Sequence, residues 1–228
     1  MKSYQVTQYG DISKMQWNEQ AVPSPGAHEI VVKVAASGVN PVDIMLAHGD
    51  FKLVFPQKLP FALGNEFAGT VTTVGSAVRK FKMGDEVFAR PREEHMGTFA
   101  DFALAHENDA ALKPVNLSMV EAASIPLVML TAIQAFTESS SVKPGSKVFV
   151  QGGTGGLGSI AIQVAKHLGA FVATTVSTPN VELAKELGAD VVIDYRTEKY
   201  EDVLHDYDVV LDTLGGDETT RAMKILAP

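Results

Sequence analysis

The sequence predicts an α/β chain of two domains, a β-rich one over residues 1–117 and one built on a parallel sheet over 118–228. Three observations lead there. The first half reads as short strands set off by turn signals, the second half alternates strand with helix, and a glycine-rich turn joins one of those later strands to a helix. At 228 residues the chain is long enough to bury two cores.

In His28-Glu29-Ile30-Val31-Val32-Lys33-Val34, Ile30, Val32 and Val34 share one face and Lys33 lies on the other, which is the period of a half-buried strand. Further strands are expected at 66–74, which stops at Gly75-Ser76, at 86–89 after Met83-Gly84-Asp85, and at 99–105 after Gly97. Residues 41–48, closed by Gly49-Asp50, read as a short helix, and Phe51, Leu53 and Phe55 read as core packing ahead of the lining of an apolar pocket. Strands with turn signals between them suggest a compact β-domain.

From residue 118 the character changes. Ser118-Met119-Val120-Glu121 is a capping-box pattern, in which the hydroxyl and the carboxylate each satisfy a helical N–H that lacks an internal acceptor. Pro126 has no N–H and suits a first turn, so a break is expected there and a second helix over 126–139. Strands at 147–151, 170–176, 191–193 and 209–211 then alternate with helices at 156–168 and 181–187. Gly169 and Gly188 follow those helices, where a left-handed residue is wanted. Such alternation demands a parallel sheet with right-handed crossovers.

Nineteen Lys and Arg against twenty-seven Asp and Glu leave a net charge of −8, spread along the chain. That repels phosphate and argues against a nucleic-acid partner. The absence of cysteine excludes disulfides, thiolate nucleophiles, iron–sulfur clusters and Cys-based zinc sites, so redox chemistry must come from a bound cofactor. The first residues lack the apolar stretch of a secretory signal, and the most apolar region, 122–136, is interrupted by Pro126 and too short to cross a bilayer. No membrane partner and a cytoplasmic location are expected.

The stretch that carries chemistry is Lys147-Val148-Phe149-Val150-Gln151-Gly152-Gly153-Thr154-Gly155-Gly156-Leu157-Gly158. Gly153, Gly155 and Gly158 satisfy G-x-G-x-x-G between an apolar strand and a helix. Gly153 is expected to make the tight turn, Gly155 to let backbone approach a pyrophosphate, and Gly158 to let helix and strand pack closely. N–H groups at the helix start then meet the anion. A glycine-rich turn alone is weak evidence, but here the strand, the helix and a following βαβ unit agree on a dinucleotide site.

Coenzyme choice is read after the second strand, where NAD-specific folds carry an acid. This chain has Val176-Ser177-Thr178-Pro179-Asn180, with no acid in the loop and with hydrogen-bonding side chains at Ser177, Thr178 and Asn180, which favours NADPH. Arg196 is the nearest later cation. The same loop also suits an ordinary cap of the next helix through Thr178 or Asn180.

Together with Gly38-Val39-Asn40-Pro41-Val42-Asp43, Gly64-Asn65-Glu66-Phe67-Ala68-Gly69, Gly97-Thr98-Phe99-Ala100, Thr131-Ala132, Leu187-Gly188-Ala189-Asp190 and Val210-Leu211-Asp212, this stretch resembles the medium-chain dehydrogenase/reductase superfamily. Within it, the chain is most similar to the zinc-independent quinone oxidoreductase and enone reductase branch. The resemblance spans essentially the whole sequence. It implies a GroES-like β-rich catalytic domain followed by a Rossmann-type domain, with NADPH in the cleft between them, and a homodimer.

In zinc-dependent relatives, Cys and His ligands stand where this chain has Asn40 and Asn65, and a third ligand falls at Leu127. The lobe that holds their structural zinc is replaced by a short stretch around Glu93-Glu94-His95. The resemblance therefore implies no metal, and His95 and His106 are read as surface or packing residues. Without a Lewis acid nothing lowers the pKa of an alcohol hydroxyl. A quinone or α,β-unsaturated carbonyl, by contrast, accepts hydride at an electron-poor carbon and needs only positioning and a hydrogen-bond donor.

The expected reaction is hydride transfer from NADPH to such a small-molecule acceptor, with water as the proton source. Asn40 would donate to the developing oxyanion or to the nicotinamide ribose. By resemblance, Thr131 contacts the nicotinamide end and Tyr195 lies beside the adenine or its phosphate; a threonine bonding its own helix and a half-buried aromatic are the plainer roles. Gly153, Thr154, Gly155, Gly156, Leu157 and Gly158, with Ser177 and Thr178, complete the expected coenzyme contacts. Asp43 and Glu66 match acidic positions of the family motifs and are read as holding loops or a cleft network, not as a catalytic base.

A second function stays open, a cofactor-binding or structural paralogue without turnover. Family members continue beyond this length, and the sequence stops about where the turn into a fifth Rossmann strand would begin. The strand order is then expected to be partly filled, with residues 209–211 at an edge.

Overall fold

The computed structural model describes residues 1–228, which fall into two compact units, Met1–Leu127 and Val128–Pro228. In the first, β1 (Lys2–Val6), β2 (Gln16–Glu19), β3 (Glu29–Ala36), α1 (Pro41–His48), β4 (Phe61–Ala62), β5 (Phe67–Val74), β6 (Glu86–Ala89), β7 (Phe102–His106), β8 (Ala110–Leu112) and α2 (Met119–Ala123) follow in order. The strands make a five-stranded antiparallel sheet, β7-β3-β5-β6-β8, and a three-stranded one, β2-β1-β4.

Ile30, Val32, Phe67, Val71, Val87 and Ala105 form the core of the larger sheet. Its β3 is more deeply set than a half-buried strand: it is central, and Val31 on the opposite face is only 1% exposed while Lys33 stays outside. The segment expected as a strand from residue 99 starts at Phe102, because the chain before it is bound elsewhere. Tyr4 N–H donates to Phe99 O at 2.7 Å and Phe99 N–H to Leu63 O at 2.8 Å.

The smaller sheet had no signal in the sequence. Along β1 the inward positions are Ser3 and Gln5, joined by a Gln5 Nε2 to Ser3 Oγ hydrogen bond of 2.9 Å, while Tyr4 meets Trp17 of β2 with ring centres 5.3 Å apart. Buried polar side chains are tolerated there because they bond to each other. Of the aromatic run after α1, only Phe51 packs against the cluster of Val6, Leu46 and Leu63. Leu53 is 91% exposed and Phe55 40%, so the expectation of core packing fails for both. That run is a string of turns, where side chains do not alternate.

Helix α2 has its predicted cap: Glu121 accepts the Ser118 N–H at 2.8 Å and donates its own N–H to Ser118 Oγ. Its Ala122 and Ala123 pack against Ala68 of β5, so α2 goes with the first unit.

Helix α3 (Pro126–Gln134) carries the chain into the second unit and runs on into a π-helical turn, Ala135–Ser139, filling the predicted span. Then come β9 (Lys147–Val150), α4 (Gly156–His167), β10 (Phe171–Val176), α5 (Val181–Glu186), β11 (Val191–Asp194), β12 (Val209–Leu211) and α6 (Asp217–Ala222). The sheet is parallel throughout, in the order β11-β10-β9-β12, with β12 at an edge. Gly169 and Gly188 take φ of +83° and +103° at the predicted helix ends.

Strand β9 is covered on both faces. Val148 and Val150 pack with Ala161, Ile162 and Ala165 of α4, and Phe149 packs with Ile193, Tyr200 and Tyr207. Small residues at three- and four-residue spacing bring α4 close to the sheet. The result is a GroES-like β-rich unit followed by a Rossmann-type one. No helix is long and apolar enough to cross a membrane.

Candidate functional site

The chain leaves β9 toward β10 on one side and returns to its other side with β12, so the carboxyl ends of β9 and β12 mark the place where open α/β sheets bind ligands. Two bonds tie those ends together. Gln151 N–H donates to Leu211 O at 3.2 Å, and Thr213 Oγ1 to Gln151 O at 2.9 Å.

The tight turn lies at Gly152, whose φ is +63°, and not at Gly153 as the motif suggested. Gly153 serves close packing instead: a Cβ there would lie 2.0 Å from Thr174 Oγ1 and 2.8 Å from Ile162 Cδ1. At Gly158 a Cβ would meet the carbonyl oxygen of Gly152 at 2.2 Å, so this residue lets the helix start press against the turn. Thr154 is half-buried, and Leu157 packs at the edge of the core.

Gly155 is the N-cap of α4 and has no side chain with which to cap it, and a Cβ at Gly156 would meet nothing within 4 Å. The N–H groups of Gly156, Leu157 and Gly158 have no acceptor inside the helix. No acidic residue stands in the first turn. This open, positively polarised helix end fits a diphosphate.

Ser177 and Thr178 follow β10, and Asn180 Nδ2 donates to Ser177 Oγ at 3.3 Å. Parallel pairing sets Asp194, the last residue of β11, beside Val176, and Tyr195 N–H donates to Val176 O at 3.1 Å. The structure thus brings an acid to a loop that contains none, because two strand ends lie side by side. Hydrogen bonds from the Thr178 hydroxyl and the Arg196 N–H hold the Asp194 carboxyl below the ordinary carboxylate range. Tyr195 is 59% exposed and Thr131 lies on the exposed side of α3.

In the first unit, four buried polar residues make one cluster: Asn40, Asp43, Asn65 and Glu66. Asn40 caps α1, donating its N–H to Asp43 Oδ2 at 2.7 Å and its Nδ2 to Glu66 Oε1 at 2.6 Å. Asn65 Nδ2 donates to Asp43 Oδ1 at 2.7 Å, and Leu127 N–H to Glu66 Oε2 at 2.7 Å. The residues aligned by motif with zinc ligands, Asn40, Asn65 and Leu127, are therefore each hydrogen-bonded to one of these two carboxylates. Burial raises both carboxyls above their ordinary range, and no cationic side chain bonds to either.

Beside this cluster opens an apolar cavity of about 660 Å³, lined by Tyr4, Trp17, Val39, Ile44 and Phe99 and reaching Asp43. Sequence reasoning missed Tyr4 and Trp17, since the strands that carry them have no apolar period. His95 faces Glu29, Nε2 to Oε1 3.0 Å, and His106 stacks on His28. No group of three or more His, Cys, Asp or Glu is arranged to hold a metal ion.

Two family models match the chain, the alcohol dehydrogenase GroES-like domain over residues 26–115 and the zinc-binding dehydrogenase family over 156–228, together more than half of it. The 2-methylene-furan-3-one reductase of Solanum lycopersicum is 39% identical over 99% of this chain and 60% of its own length. The chloroplastic NADPH-dependent alkenal/one oxidoreductase of Arabidopsis thaliana is 38% identical over 94% of this chain and 58% of its own length. The chain thus spans about 60% of the length of these curated relatives. The structure of Escherichia coli quinone oxidoreductase complexed with NADPH superimposes with a TM-score of 0.86 at 30% identity, covering 99% of this chain and 70% of that one. On these matches and on the fold, the chain belongs to the medium-chain dehydrogenase/reductase superfamily, in its quinone oxidoreductase branch.

Proposed function

We propose that the chain serves an NADPH-dependent oxidoreductase that reduces quinones or α,β-unsaturated carbonyls without a metal. One observation carries the reading: the turn from β9 to α4 is an uncapped helix start, close-packed at Gly153 and Gly158 and open at Gly156. The reductases and quinone oxidoreductases among its relatives support the same chemistry.

Thr154, Gly155, Gly156, Leu157 and Gly158 would hold the diphosphate through backbone N–H groups, with Ser177, Thr178 and Tyr195 at the adenosine end and Thr131 toward the nicotinamide. Bound NADPH supplies a hydride. Asn40 keeps one side-chain N–H beyond the one it gives to Glu66, and that N–H is the candidate donor to the acceptor's developing oxyanion or to a ribose hydroxyl. With Asn40, Asn65 and Leu127 at the positions of metal ligands, polarisation falls to hydrogen bonds, and water delivers the proton. A homodimer and a cytoplasmic location belong to the same reading.

The test is NADPH oxidation followed with a simple quinone and with an enone, alongside a binding titration. Oxidation with either acceptor supports the enzyme. Tight NADPH binding with no oxidation would replace it by a cofactor-binding paralogue without turnover.

A further inference from the structure

A second cavity of the first unit, about 100 Å³, lies against the buried polar cluster. Its apolar walls are Val42 and Leu46, one turn apart on α1, and Phe51 and Phe55, whose ring centres lie 6.3 Å apart at 69°. Two polar side chains join them from the larger sheet. Phe67 of β5 pairs with Ala89 of β6, so the antiparallel register sets Asn65 and Arg90 near each other just beyond the two strands. Asn65 gives one side-chain N–H to Asp43 Oδ1 at 2.7 Å and keeps the other.

Arg90 is the one cation among the lining residues. It is half-buried, and its guanidinium has no carboxylate within 4.0 Å and no hydrogen-bond partner. Glu93, on the same lining, is exposed and stays beyond that distance. Arg92 is clamped by Asp109, Nε to Oδ2 at 2.7 Å and Nη2 to Oδ1 at 3.1 Å. With Pro91 buried between the two arginines, the backbone that carries Arg90 is held in place.

A half-buried guanidinium gives up hydration without gaining a partner, a cost that a bound anion offsets. Aromatic walls and so small a volume suit a flat anion, and a carboxylate is flat where a phosphate is tetrahedral. Guanidinium and carboxylate also pair through two parallel N–H bonds. We propose that this cavity takes the carboxylate of an unsaturated keto acid and that Arg90 selects it. The inference rests on the reading of the chain as an enone or quinone reductase, and it narrows the acceptor to one whose acid is conjugated to the double bond. The acceptor's C=C takes a hydride from NADPH and a proton from water, giving the saturated keto acid and NADP⁺.

The test uses the full chain with trans-acetylacrylate and with trans-diacetylethylene, in which a neutral acetyl group replaces the carboxylate. Calorimetric titration with and without NADP⁺ reads binding, and NADPH oxidation reads turnover. The natural chain is expected to bind acetylacrylate on the order of tenfold more tightly than diacetylethylene, with the preference shrinking as salt is raised. Arg90→Gln should abolish the preference, Arg90→Lys should restore part of it, and Arg92→Gln, outside the cavity, should keep it. Thermal unfolding of Arg90→Gln should match that of the natural chain, since no bond within the protein is lost. Equal binding of the two acceptors by the natural chain, binding of neither, or a preference that survives in Arg90→Gln would overturn the assignment. Arg90-dependent binding of acetylacrylate without NADPH oxidation by either acceptor would leave the cavity assigned and remove the reductase reading.

Discussion

Asn40 donates its side-chain N–H to the Glu66 carboxylate at 2.6 Å, and both side chains are buried. The other oxygen of Glu66 takes the Leu127 N–H, so one carboxylate ties the start of α1 to the last residue of the first unit. The charge is met by amide donors alone. Substituting Glu66 by Leu strands both donors in the interior and should cost about 2–5 kcal/mol in urea unfolding. A loss within experimental error would mean that the network does not hold this unit together.

The glycine turn makes a graded prediction. Gly153→Ala drives a Cβ into Thr174 and Ile162 and should destabilise the chain by about 1–3 kcal/mol. Gly155→Val has looser surroundings, with Gly152 O at 3.2 Å, and should keep the fold while blocking approach of the diphosphate. Gly156→Ala meets nothing and should leave stability within about 1 kcal/mol. Unfolding curves paired with NADPH titrations separate the three.

Glu107 gives a pH dependence. The Arg79 N–H at 2.8 Å, His28 Nδ1 at 2.9 Å and the Lys80 N–H at 3.1 Å hold its carboxyl down to about 2, against an ordinary value of 4.5. The folded chain therefore favours the ionised form, and that stabilisation is present above the ordinary value and lost as pH falls toward about 2. Glu107→Gln should be less stable than the natural chain at neutral pH, and the gap should close on acidification. A gap that holds constant with pH would contradict the assignment.

Where the sequence was legible, a period or a cap reported a buried face. The capping box at Ser118 and Glu121, the left-handed Gly169 and Gly188, and the parallel alternation around β9 all have one local cause each. Strand β1 was silent because its inward residues are Ser3 and Gln5, whose burial is offset by hydrogen bonds and not by apolar contact. Asp194 was invisible at the adenosine end because it reaches Thr178 through strand pairing, eighteen residues after Val176 in the chain. Gly152 was overlooked because the motif counts from Gly153, whereas the backbone turns one residue earlier.

Metal removal supplies a further check. Asn40, Asn65 and Leu127 hold no thiolate or imidazole, so a strong chelator should leave Tm and quinone reduction unchanged. Stoichiometric zinc in the purified protein, with loss of activity on chelation, would contradict this reading.

The most direct measurement is a titration of isotope-labelled chain with NADPH, following backbone amide resonances by NMR. Saturable shifts should be largest at Gly156, Leu157 and Gly158, whose N–H groups have no acceptor inside the helix. Saturable binding that leaves those three amides unmoved, or no binding by a folded chain, would contradict the account.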